Sequence, residues 1–546
     1  MPPPATPADS TTEAVRSLKQ LADEVGGRIE GGEASITGIA QDSRHVRPGD
    51  LFVALRGTRE DGAAYVRDAA ARGAAAACVA GDDVDGARGA GIPLIAVSDP
   101  HAALARLASA FYDHPSRSLD LVGVPGTLGK TSTALLIATA LTASGSGRSV
   151  GVVGSLGTLV RGPAAKRVPQ HLLPHLGGMT TPDAPTLHQA LRVLADAAVD
   201  TAVMEVTSHA LSQRRVEGLV FALGVLTNLV PDEHLEYHPS PEHYLRTKAR
   251  FFQHLSPGAP VVFNADDPRV REMVRAATAD VARPVVGVSL RATAAATSAE
   301  DVVATVGVEA LRTDAGGSSF SLRLRRPIPR LAVVGGGTVP PCVVPIVLPV
   351  LGVQHVANAA LAAAAALVAG ATPEGVTEAL AEMEPMRRRM EVVRAAAPLV
   401  VDDTAGNPET LRAVFATVSE LPRATLRVAF GIRGTRGPEI NKRLAVTLGA
   451  LLAECAETGA VQLVVTASAD VADERNRVQP AEREAVLDAL AAAGVPHAFE
   501  PRLADAARRV VGAAGRGDLV LLLGAQGMDR AAEMVRHALG ERVGAA

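Results

Sequence analysis

Short apolar runs alternate with longer segments of helical periodicity along most of the chain. Alternation of this kind predicts an α/β fold with mainly parallel sheets. Runs with the length of buried strands occupy residues 119–124, 201–204, 220–226, 260–263, 399–401, 426–430, 461–465 and 519–523. Ala-rich windows that predict helices occupy residues 63–77, 102–111, 356–369 and 481–493. The segment 313–345 differs, because its Ser- and Gly-rich turns and alternating residues predict antiparallel strands.

The domain organisation is predicted from length and from two breaks in the pattern. A chain of 546 residues suggests three or four domains. One break falls near 113–118, between a helix and the next strand, and the other near 384–389, where a helix ends at Pro385. We therefore predict an N-terminal domain over 1–115 with a flexible Pro- and Thr-rich start, a central domain over 116–386 and a C-terminal domain over 387–546.

Composition narrows the function classes. The net charge of −4 offers no basic surface for nucleic acid. The apolar runs fall far short of the roughly 20 residues that cross a bilayer, so a membrane protein is not expected. The three cysteines, Cys78, Cys342 and Cys455, are too far apart for a Cys-x-x-Cys metal pattern or a disulfide framework, which fits a reducing cytoplasm. The first ten residues lack the basic start and apolar run of a signal peptide. For the oligomeric state, we expect a monomer.

A glycine-rich segment joins the run 119–124 to a predicted helix at 131–141. It reads Gly-Val-Pro-Gly-Thr-Leu-Gly-Lys-Thr-Ser-Thr from Gly123. Strand, Gly-rich turn, Lys-Thr and helix form the context of a nucleotide phosphate loop. Gly126 and Gly129 allow close backbone approach to phosphate, Lys130 would reach the terminal phosphates, and the Thr131 hydroxyl would ligate Mg²⁺. The Walker spacing is broken at Val124, so an ordinary strand–helix turn stays an alternative.

The same segment resembles the phosphate loop of the Mur ligases, closest to the UDP-N-acetylmuramoyl-tripeptide synthetase branch. Further motifs resemble that branch in the same order along the chain. They begin at Asp42-Ser-Arg, Thr180-Thr-Pro-Asp, Met204-Glu-Val-Thr-Ser-His-Ala-Leu, Thr227-Asn-Leu, His234-Leu-Glu-Tyr-His, Tyr244-x-x-x-Lys248, Asn264-Ala-Asp-Asp-Pro, Asn358 and Arg389-Met-Glu.

The resemblance implies a three-domain architecture with a central P-loop ATPase-like parallel sheet and a C-terminal Rossmann-like domain. It implies an ATP-dependent carboxylate–amine ligase that adds an amino acid to a UDP-N-acetylmuramoyl-peptide in peptidoglycan precursor synthesis. ATP would phosphorylate the acceptor carboxylate, and the amine of the amino acid would then displace phosphate from the acyl phosphate. ATP and Mg²⁺ are the expected cofactors, and the partners are small-molecule substrates.

Site residues follow from the resemblance, position by position. Lys130, Glu205, His234 and Lys248 are the implied catalytic residues, and the implied metal ligands are Thr131, Glu205, His234 and a carbamylated Lys248. The implied ATP-binding residues are Gly126, Thr127, Gly129, Lys130, Thr131, Ser132, Asn264, Asn358, Arg389 and Asp403. The implied substrate-binding residues are Ser43, Arg44, Thr180, Thr181, Thr207, Ser208 and Arg215, to which we add Arg433 and Arg436 as candidates for a carboxylate or phosphate.

Some of these residues have simpler interpretations when considered alone. Lys248 would be a surface lysine of a helix, and Glu205 a solvated residue following the strand at 200–204. His234 and His238 are spaced like a zinc pair, but no third ligand has suitable spacing. A P-loop ATPase driven by conformational change is a poorer fit, because Glu205 stands where such a protein needs Asp.

The sequence departs from the family pattern at several positions, mostly in the third domain. Leu128 replaces an Asn of the phosphate loop, Glu233 replaces the Asp before His234, and His355 replaces an Asn. The third-domain segments that differ begin at Asp403-Thr-Ala-Gly-Asn-Pro, Gly431-Ile-Arg-Gly-Thr-Arg-Gly, Thr466-Ala-Ser-Ala-Asp and Gly524-Ala-Gln-Gly-Met-Asp. The third of these segments lacks the Asp-Asn-Pro-Arg motif that selects diaminopimelate.

Because of these departures, the sequence does not identify the amino acid that is added, and two alternative functions stay open. Asp470, Asp473 and Glu474 suggest a basic amino acid such as lysine or ornithine. One alternative is a related ligase of specialised metabolism that uses a different acceptor. The other is a nucleotide-binding homologue without ligase activity, suggested by Leu128, Thr404 and Gly406.

Overall fold

The described chain packs into two compact units. The computed structural model describes residues 14–57, 61–143, 146–166, 168, 173–174, 179–230, 237–291, 304–314, 316–332, 335–512, 514–525 and 527–540. Unit 1 takes in residues up to 307 with 324–341 and 361–376, and unit 2 takes in 308–323, 342–360 and residues from 377 onward. The boundaries at 115 and 386 stay a prediction. None of the described helices is both long and apolar enough to cross a lipid bilayer.

Unit 1 begins with a five-stranded sheet. Its elements are β1 (Arg16–Ser17), α1 (Leu18–Val25), β2 (Arg28–Glu30), β3 (Ser35–Ile36), β4 (Gly38–Ala40), β5 (Asp50–Val53), α2 (Val66–Ala71), β6 (Ala76–Ala80), α3 (Val84–Ala87), β7 (Leu94–Val97) and α4 (Pro100–Phe111). The order is β2-β7-β6-β5-β4, in which β4 to β7 run parallel and β2 is antiparallel.

One helix prediction in this region is wrong in extent. The window 63–77 contains an α-helix only over Val66–Ala71, and its last two residues already belong to β6. Gly73 adopts a positive φ of 97° and breaks the helix. Ala76 and Ala77 are fully buried in the sheet, so tertiary packing overrides their helical propensity.

The larger sheet of unit 1 carries the phosphate loop. Its elements are β8 (Asp120–Pro125), α5 (Lys130–Leu141), β9 (Val150–Gly154), β10 (Gly157–Arg161), α6 (Ala184–Asp196), β11 (Thr201–Val206), α7 (Ser208–Ser212), β12 (Leu223–Leu226), α8 (Pro241–Ala249), β13 (Val261–Asn264), α9 (Pro268–Thr278) and β14 (Val285–Ser289). Strand β15 (Ala304–Asp314) begins in unit 1 and ends in unit 2. The order begins β10-β9-β11-β8-β12-β13-β14-β15. Strand β11 lies beside β8 in parallel register, with Glu205 opposite Val124 and Val206 opposite Pro125. The carboxyl end of β11 therefore lies next to the start of the phosphate loop.

Residues 316–381 contribute elements to both units. These elements are β16 (Gly317–Leu324), β17 (Ile328–Pro329), β18 (Thr338–Val339), β19 (Val343–Leu348), α10 (Val353–Val368) and α11 (Pro373–Ala381). Strands β16 and β19 pair antiparallel, and β17 and β18 do the same, which confirms the antiparallel prediction for 313–345.

Unit 2 contains a six-stranded sheet of Rossmann-like form. Its elements are β20 (Glu391–Arg394), β21 (Leu399–Asp403), α12 (Pro408–Glu420), β22 (Thr425–Gly431), α13 (Pro438–Ala456), β23 (Ala460–Thr466), α14 (Pro480–Ala492), β24 (His497–Glu500), α15 (Leu503–Val511), β25 (Leu519–Leu523) and α16 (Ala531–Ala538). The order is β20-β21-β25-β22-β23-β24, and only β20 runs antiparallel to its neighbour. The α/β prediction is confirmed.

Candidate active site

The phosphate loop links the end of β8 to the first residue of α5. Gly126 has a φ of 155°, and a side chain there would collide with the Thr227 hydroxyl. Gly129 adopts a φ of 80° at the N-cap of α5, so the helix begins directly at Lys130. A helix that begins in this way presents backbone N–H groups and a partial positive charge to an anion. The strand, turn and helix expected around Lys130 are all present.

Two residues after β12 fix the middle of the loop. The N–H of Leu128 donates to Asn228 Oδ1 at 2.8 Å, and the carbonyl of Leu128 accepts from Thr227 Oγ1 at 2.6 Å and from Asn228 Nδ2 at 3.1 Å. The N–H of Thr127 donates to the Asn228 carbonyl at 2.8 Å. These contacts involve only the backbone of Leu128. The side chain at position 128 therefore takes no part in anchoring the loop.

Glu205 lies inside β11, and its side chain is buried. The alternative interpretation as a solvated strand end is wrong, because β11 continues two residues further than predicted and Glu205 is only 1 % exposed. Its carboxylate accepts from Thr131 Oγ1 at 2.9 Å, from the Ser155 N–H at 2.7 Å and from Ser155 Oγ at 3.4 Å. A side chain at Gly154 would collide with this carboxylate, so glycine leaves room for it. Glu205 and Thr131 thus bring two hard oxygen donors together, which suits Mg²⁺.

The two lysines of the predicted site meet at one carbonyl. Lys130 Nζ donates to the Gly126 carbonyl at 3.1 Å and to the Thr127 carbonyl at 2.8 Å, and Lys248 Nζ donates to the Gly126 carbonyl at 2.7 Å. Lys248 is only 3 % exposed, so the interpretation as a surface lysine is wrong. Burial holds the pKa of Lys248 well below its usual value, and the charge of Lys130 acts in the same direction.

Helix α8 is joined to the phosphate loop at a second point, through Tyr244. The Tyr244 hydroxyl lies 2.5 Å from Thr127 Oγ1, and the Val230 N–H donates to the same Thr127 oxygen at 2.9 Å. Tyr244 is fully buried, one helical turn before Lys248, whose Nζ lies 5.1 Å from the centre of the tyrosine ring. The sequence motif Tyr-x-x-x-Lys pointed to this residue but did not indicate its contact.

Polar side chains extend from Glu205 toward the predicted substrate motif. Ser155 Oγ lies 3.0 Å from Thr180 Oγ1, and Thr181 Oγ1 donates to the Glu205 carbonyl at 2.8 Å. Thr207 Oγ1 lies 3.1 Å from Thr181 Oγ1. Sequence reasoning missed Ser155, although it lies in the tight turn between β9 and β10. The structure thus brings Thr180, Thr181, Thr207 and Glu205 together, and their binding roles stay a prediction.

Arg215 and Ser208 flank this group. Arg215 donates to the Thr181 carbonyl at 2.7 Å and to Gln213 Oε1 at 2.6 Å, and burial lowers its pKa. Ser208 is buried at the start of α7, and its hydroxyl has no hydrogen-bond partner among the described residues. A buried hydroxyl without a partner is costly, so a polar group of a substrate would satisfy it.

His234 lies outside the described residues. Over the part of the chain that the structure describes, three or more His, Cys, Asp or Glu side chains do not gather into a metal-binding group. The predicted set of Thr131, Glu205, His234 and carbamylated Lys248 therefore stays a prediction.

The remaining predicted residues of unit 1 lie in turns or helix starts. Arg44 forms an ion pair with Asp42 at 2.7 Å in the 3-10 helix Ser43–His45, and its side chain is mostly exposed. Asn264 Oδ1 accepts from the Asp266 N–H at 2.9 Å at the end of β13. Ser132 is buried in the first turn of α5.

Unit 2 holds three further ATP-binding candidates. Arg389 donates to the Thr404 hydroxyl, and Asp403 accepts from the Met390 N–H at 2.8 Å. Burial raises the pKa of Asp403 to about 6, against the opposing effect of Arg389. Asn358 is buried on α10.

The two candidate arginines of unit 2 lie on the loop after β22. Arg436 donates to the Gly406 carbonyl at 2.8 Å. Burial lowers the pKa of Arg433, and the neighbouring charge of Arg436 adds to the effect. Neither guanidinium has an acidic partner among the described residues, so the pair offers positive charge to an anion.

Two of the acidic residues that suggested a basic amino acid, Asp470 and Asp473, accept hydrogen bonds within the fold instead. Asp470 accepts from the N–H groups of Leu503 at 2.6 Å and Ala504 at 3.1 Å, at the start of α15. Asp473 accepts from the Asn476 N–H at 2.9 Å and from its side chain at 2.8 Å. Both carboxylates are satisfied as helix and turn caps, which weakens the interpretation of a lysine or ornithine site.

Three family models match the chain. The model described as Mur ligase family, catalytic domain, matches residues 35–112. The Mur ligase middle domain matches residues 124–366, and the model described as Mur ligase, glutamate ligase domain, matches residues 388–526.

Several proteins of similar sequence carry the names of ligases that act on peptidoglycan precursors. The UDP-N-acetylmuramoyl-L-alanyl-D-glutamate–2,6-diaminopimelate ligase of Chlorobaculum tepidum is 33% identical over 525 residues, 95% of this chain and 92% of that protein. The ligase of the same name from Rhizobium meliloti is 35% identical over 77% of this chain and 80% of that protein. The UDP-N-acetylmuramyl-tripeptide synthetase of Roseiflexus sp. is 34% identical over 73% of this chain and 74% of that protein.

Solved structures share the fold. A UDP-N-acetylmuramoyl-L-alanyl-D-glutamate–2,6-diaminopimelate ligase superposes with a TM-score of 0.60 at 24% identity, over 92% of this chain and 95% of that one. MurF from Acinetobacter baumannii also gives a TM-score of 0.60, at 18% identity, over 97% of this chain and 100% of that one.

Proposed function

This chain belongs to the Mur ligase family of ATP-dependent amide-forming ligases, and we propose that it adds an amino acid to a UDP-N-acetylmuramoyl-peptide in peptidoglycan precursor synthesis. The substrate class comes from the names of its relatives. The observation that carries the proposal is the contact between Thr131 and Glu205 beside a glycine-rich loop that ends in Lys130.

The loop has the features needed to hold Mg·ATP. Gly126 has no Cβ, which would clash with the Thr227 hydroxyl, and its backbone is left bare at the start of the loop. Helix α5 begins directly after the loop, at Lys130. We assign the phosphates to Lys130 and to the N–H groups of Gly126, Gly129 and Ser132. Thr127, whose N–H is bonded to the Asn228 carbonyl, would contribute through the shape of the loop. Thr131 and Glu205 would hold Mg²⁺, which neutralises charge on the phosphates during transfer. His234, Asn264, Asn358, Arg389 and Asp403 are retained as proposed ligands of metal or nucleotide.

The proposed ligation has two chemical steps. An oxygen of the acceptor carboxylate attacks the γ-phosphorus of ATP, and the bond to the ADP oxygen breaks, which gives an acyl phosphate and ADP. The amine of the amino acid then attacks the acyl carbon, loses a proton, and expels phosphate as the amide forms. Lys130 stabilises the charge that develops on the transferred group, because a fixed cation in a dry site needs no rearrangement.

We further propose that Lys248 is carbamylated. Carbamylation requires a neutral amine, which attacks CO₂ and releases a proton to leave an anionic carbamate. Burial lowers the pKa of Lys248 and so increases the share of the neutral amine. Protein incubated with ¹³C-bicarbonate should show a carbamate carbon signal that is missing in Lys248→Arg. An active wild-type protein without that signal would contradict the modification.

The substrate-binding roles are proposals of the same kind. Arg433 and Arg436 would bind the carboxylate of the incoming amino acid, because their charges have no acidic partner in the described structure. Thr180, Thr181, Thr207, Ser208 and Arg215 would contact the acceptor peptide beside Glu205. Ser43 and Arg44 would contact the UDP moiety.

The proposed function is tested by phosphate release from ATP. The purified protein is assayed with UDP-N-acetylmuramoyl-L-alanyl-D-glutamate and a panel of amino acids, and products are identified by mass spectrometry. We expect phosphate release only when ATP, acceptor and one amino acid are all present, with an amide product of matching mass. No turnover over the whole panel would contradict the proposal. The proposal includes a monomeric protein that acts in the cytoplasm. Size-exclusion chromatography with light scattering tests the oligomeric state.

A further inference from the structure

The loop that carries Arg433 and Arg436 is held from several sides within unit 2. The Arg433 carbonyl accepts from Asn441 Nδ2 at 3.0 Å. A side chain at Gly434 would collide with the backbone carbonyls of Asn476 and Arg477, so the loop packs directly on that neighbouring backbone. The loop therefore has a defined shape before any ligand binds.

A single buried carboxylate completes this arrangement. Glu482 lies in the first turn of α14 and is only 2 % exposed. Its Oε1 accepts from the Gly437 N–H at 2.8 Å, and its Oε2 accepts from the Thr435 N–H at 3.2 Å and from the Gln479 N–H at 2.9 Å. Asn441 Nδ2 lies 3.5 Å from the same Oε1.

The contacts to Thr435 and Gly437 bracket Arg436. Thr435 has a φ of 61°, which is unusual for a residue with a side chain, and Gly437 has a φ of 87°. Backbone conformations of this kind persist only where the surroundings enforce them. Because Glu482 accepts from the amides on both sides of Arg436, it enforces the turn that directs this residue.

The chemistry requires a carboxylate at this position. An ionised carboxylate is acceptor-only, and here both of its oxygens face N–H donors. Burial of that charge is costly without hydrogen bonds, and four donors offset the cost. A glutamine would place an NH₂ group where one carboxylate oxygen now accepts hydrogen bonds. The N–H donors that face this oxygen would lose their acceptor and would meet another donor instead.

We propose that Glu482 is a positioning residue that fixes the arginine pair for the carboxylate of the incoming amino acid. This inference rests on the proposed function, in which Arg433 and Arg436 bind that carboxylate. The Glu482 carboxylate is buried and occupied by backbone N–H groups, so its effect would pass through the loop. A loosened loop should weaken binding of the amino acid while leaving the phosphate loop in unit 1 unchanged.

The test compares Glu482→Gln with wild type in the phosphate-release assay, using the amino acid that wild type accepts. We expect the KM for the amino acid to rise about tenfold or more, while the KM for ATP changes less than about twofold. Glu409→Gln is the matched control, because Glu409 lies in the first turn of α12 and pairs there only with Arg412 among the ion pairs described. This control should leave both KM values unchanged.

The outcomes separate the two claims. Equal changes in both KM values, or an unchanged KM for the amino acid, would overturn the role of Glu482. If Glu482→Gln does not fold, Asn441→Ala decides by the same comparison, because Asn441 anchors the Arg433 carbonyl in the same loop. Absence of turnover by wild type with every amino acid would instead overturn the proposed function, and this inference with it.

Discussion

The Thr131 hydroxyl donates a hydrogen bond to the Glu205 carboxylate over 2.9 Å, which joins the first turn of α5 to the end of β11. The two residues are 74 positions apart in the chain. Parallel pairing of β8 with β11 places them together, because the carboxyl ends of both strands lie at one edge of the sheet. Ligands of open α/β sheets bind at such edges.

The first prediction concerns the charge of Glu205. Glu205→Gln keeps the size of the side chain but removes the anion that would hold Mg²⁺. We expect kcat to fall by about 100-fold or more and the requirement for Mg²⁺ to rise, because electrostatic stabilisation of phosphoryl transfer is lost. The measurement is phosphate release as a function of Mg²⁺ concentration.

Asp120→Asn is the control for Glu205→Gln. Asp120 is a carboxylate of the same sheet too, but it is half-buried and lies at the amino end of β8, away from the phosphate loop. Its replacement should leave kcat within about twofold of wild type. Loss of activity in the Asp120 variant equal to that in the Glu205 variant would show that the effect is not specific to the site.

The second prediction separates the side chain of residue 128 from the anchoring of its backbone. Asn228→Ala removes the hydrogen bonds to the N–H and carbonyl of Leu128 and should raise the KM for ATP roughly tenfold. Leu128→Asn keeps those bonds and should change the KM for ATP less than about threefold. A large gain in activity from Leu128→Asn would show that this departure from the family pattern had weakened the enzyme.

The third prediction concerns the hydroxyl pair of Tyr244 and Thr127. Tyr244→Phe retains the buried ring and removes only the hydroxyl that meets the phosphate loop. We expect kcat/KM for ATP to fall about tenfold, because the buried hydroxyl of Thr127 loses one of its two partners and keeps only the Val230 N–H. Thr127→Val should cost at least as much.

A double-mutant cycle tests that contact directly. The double variant Tyr244→Phe, Thr127→Val should fall little below the lower of the two single variants, because both remove one interaction. Thr417→Val on α12 supplies a control pair with Tyr244→Phe, whose effects should simply add. Additive losses for Tyr244 and Thr127 would contradict a functional coupling between them.

The fourth prediction follows from the titration of Asp403. Burial raises the pKa of Asp403 from 3.8 to about 6. Because folding raises the pKa of this carboxyl, the folded protein holds its proton more tightly than the unfolded chain does. The resulting contribution to the free energy of unfolding is present below about pH 4 and is lost as the pH rises through about 6. The shift corresponds to roughly 3 kcal/mol of stability lost above pH 6.

Asp403→Asn should therefore be more stable than wild type at pH 8. Asparagine stays neutral and still accepts from the Met390 N–H through its amide oxygen. The difference in Tm between variant and wild type should shrink as the pH is lowered from 8 toward 4. A difference that is constant with pH, or that grows in acid, would contradict the raised pKa of Asp403.

The sequence predicted those parts of the site that depend on local order. The strand at β8, the turn at Gly126 and Gly129 and the helix beginning near Lys130 follow from neighbouring residues, and the structure contains all three. Lys248 could not be interpreted from its own surroundings, since its partner Gly126 is 122 positions away. Only the resemblance to the family singled it out, and only the fold reveals its burial.

Other features needed the tertiary structure. Ser155 contacts Glu205, Thr131 and Thr180, but a serine in a short turn has no distinguishing sequence pattern. Glu482 reads as an ordinary acidic residue in the first turn of a helix, and its contacts to Thr435 and Gly437 span 47 and 45 positions. Asp470 and Asp473 seemed suited to a ligand in sequence, whereas the fold uses both as caps.

Transfer of an oxygen isotope tests the central claim, that the loop around Lys130 binds ATP while an acceptor carboxylate is phosphorylated. The acceptor is prepared with ¹⁸O in both carboxylates of its D-glutamate and is turned over with unlabelled ATP and the accepted amino acid. We predict one ¹⁸O in each phosphate released, because the carboxylate oxygen leaves with the phosphoryl group, and no release by Lys130→Ala. Amide product formed together with unlabelled phosphate would contradict the acyl-phosphate mechanism.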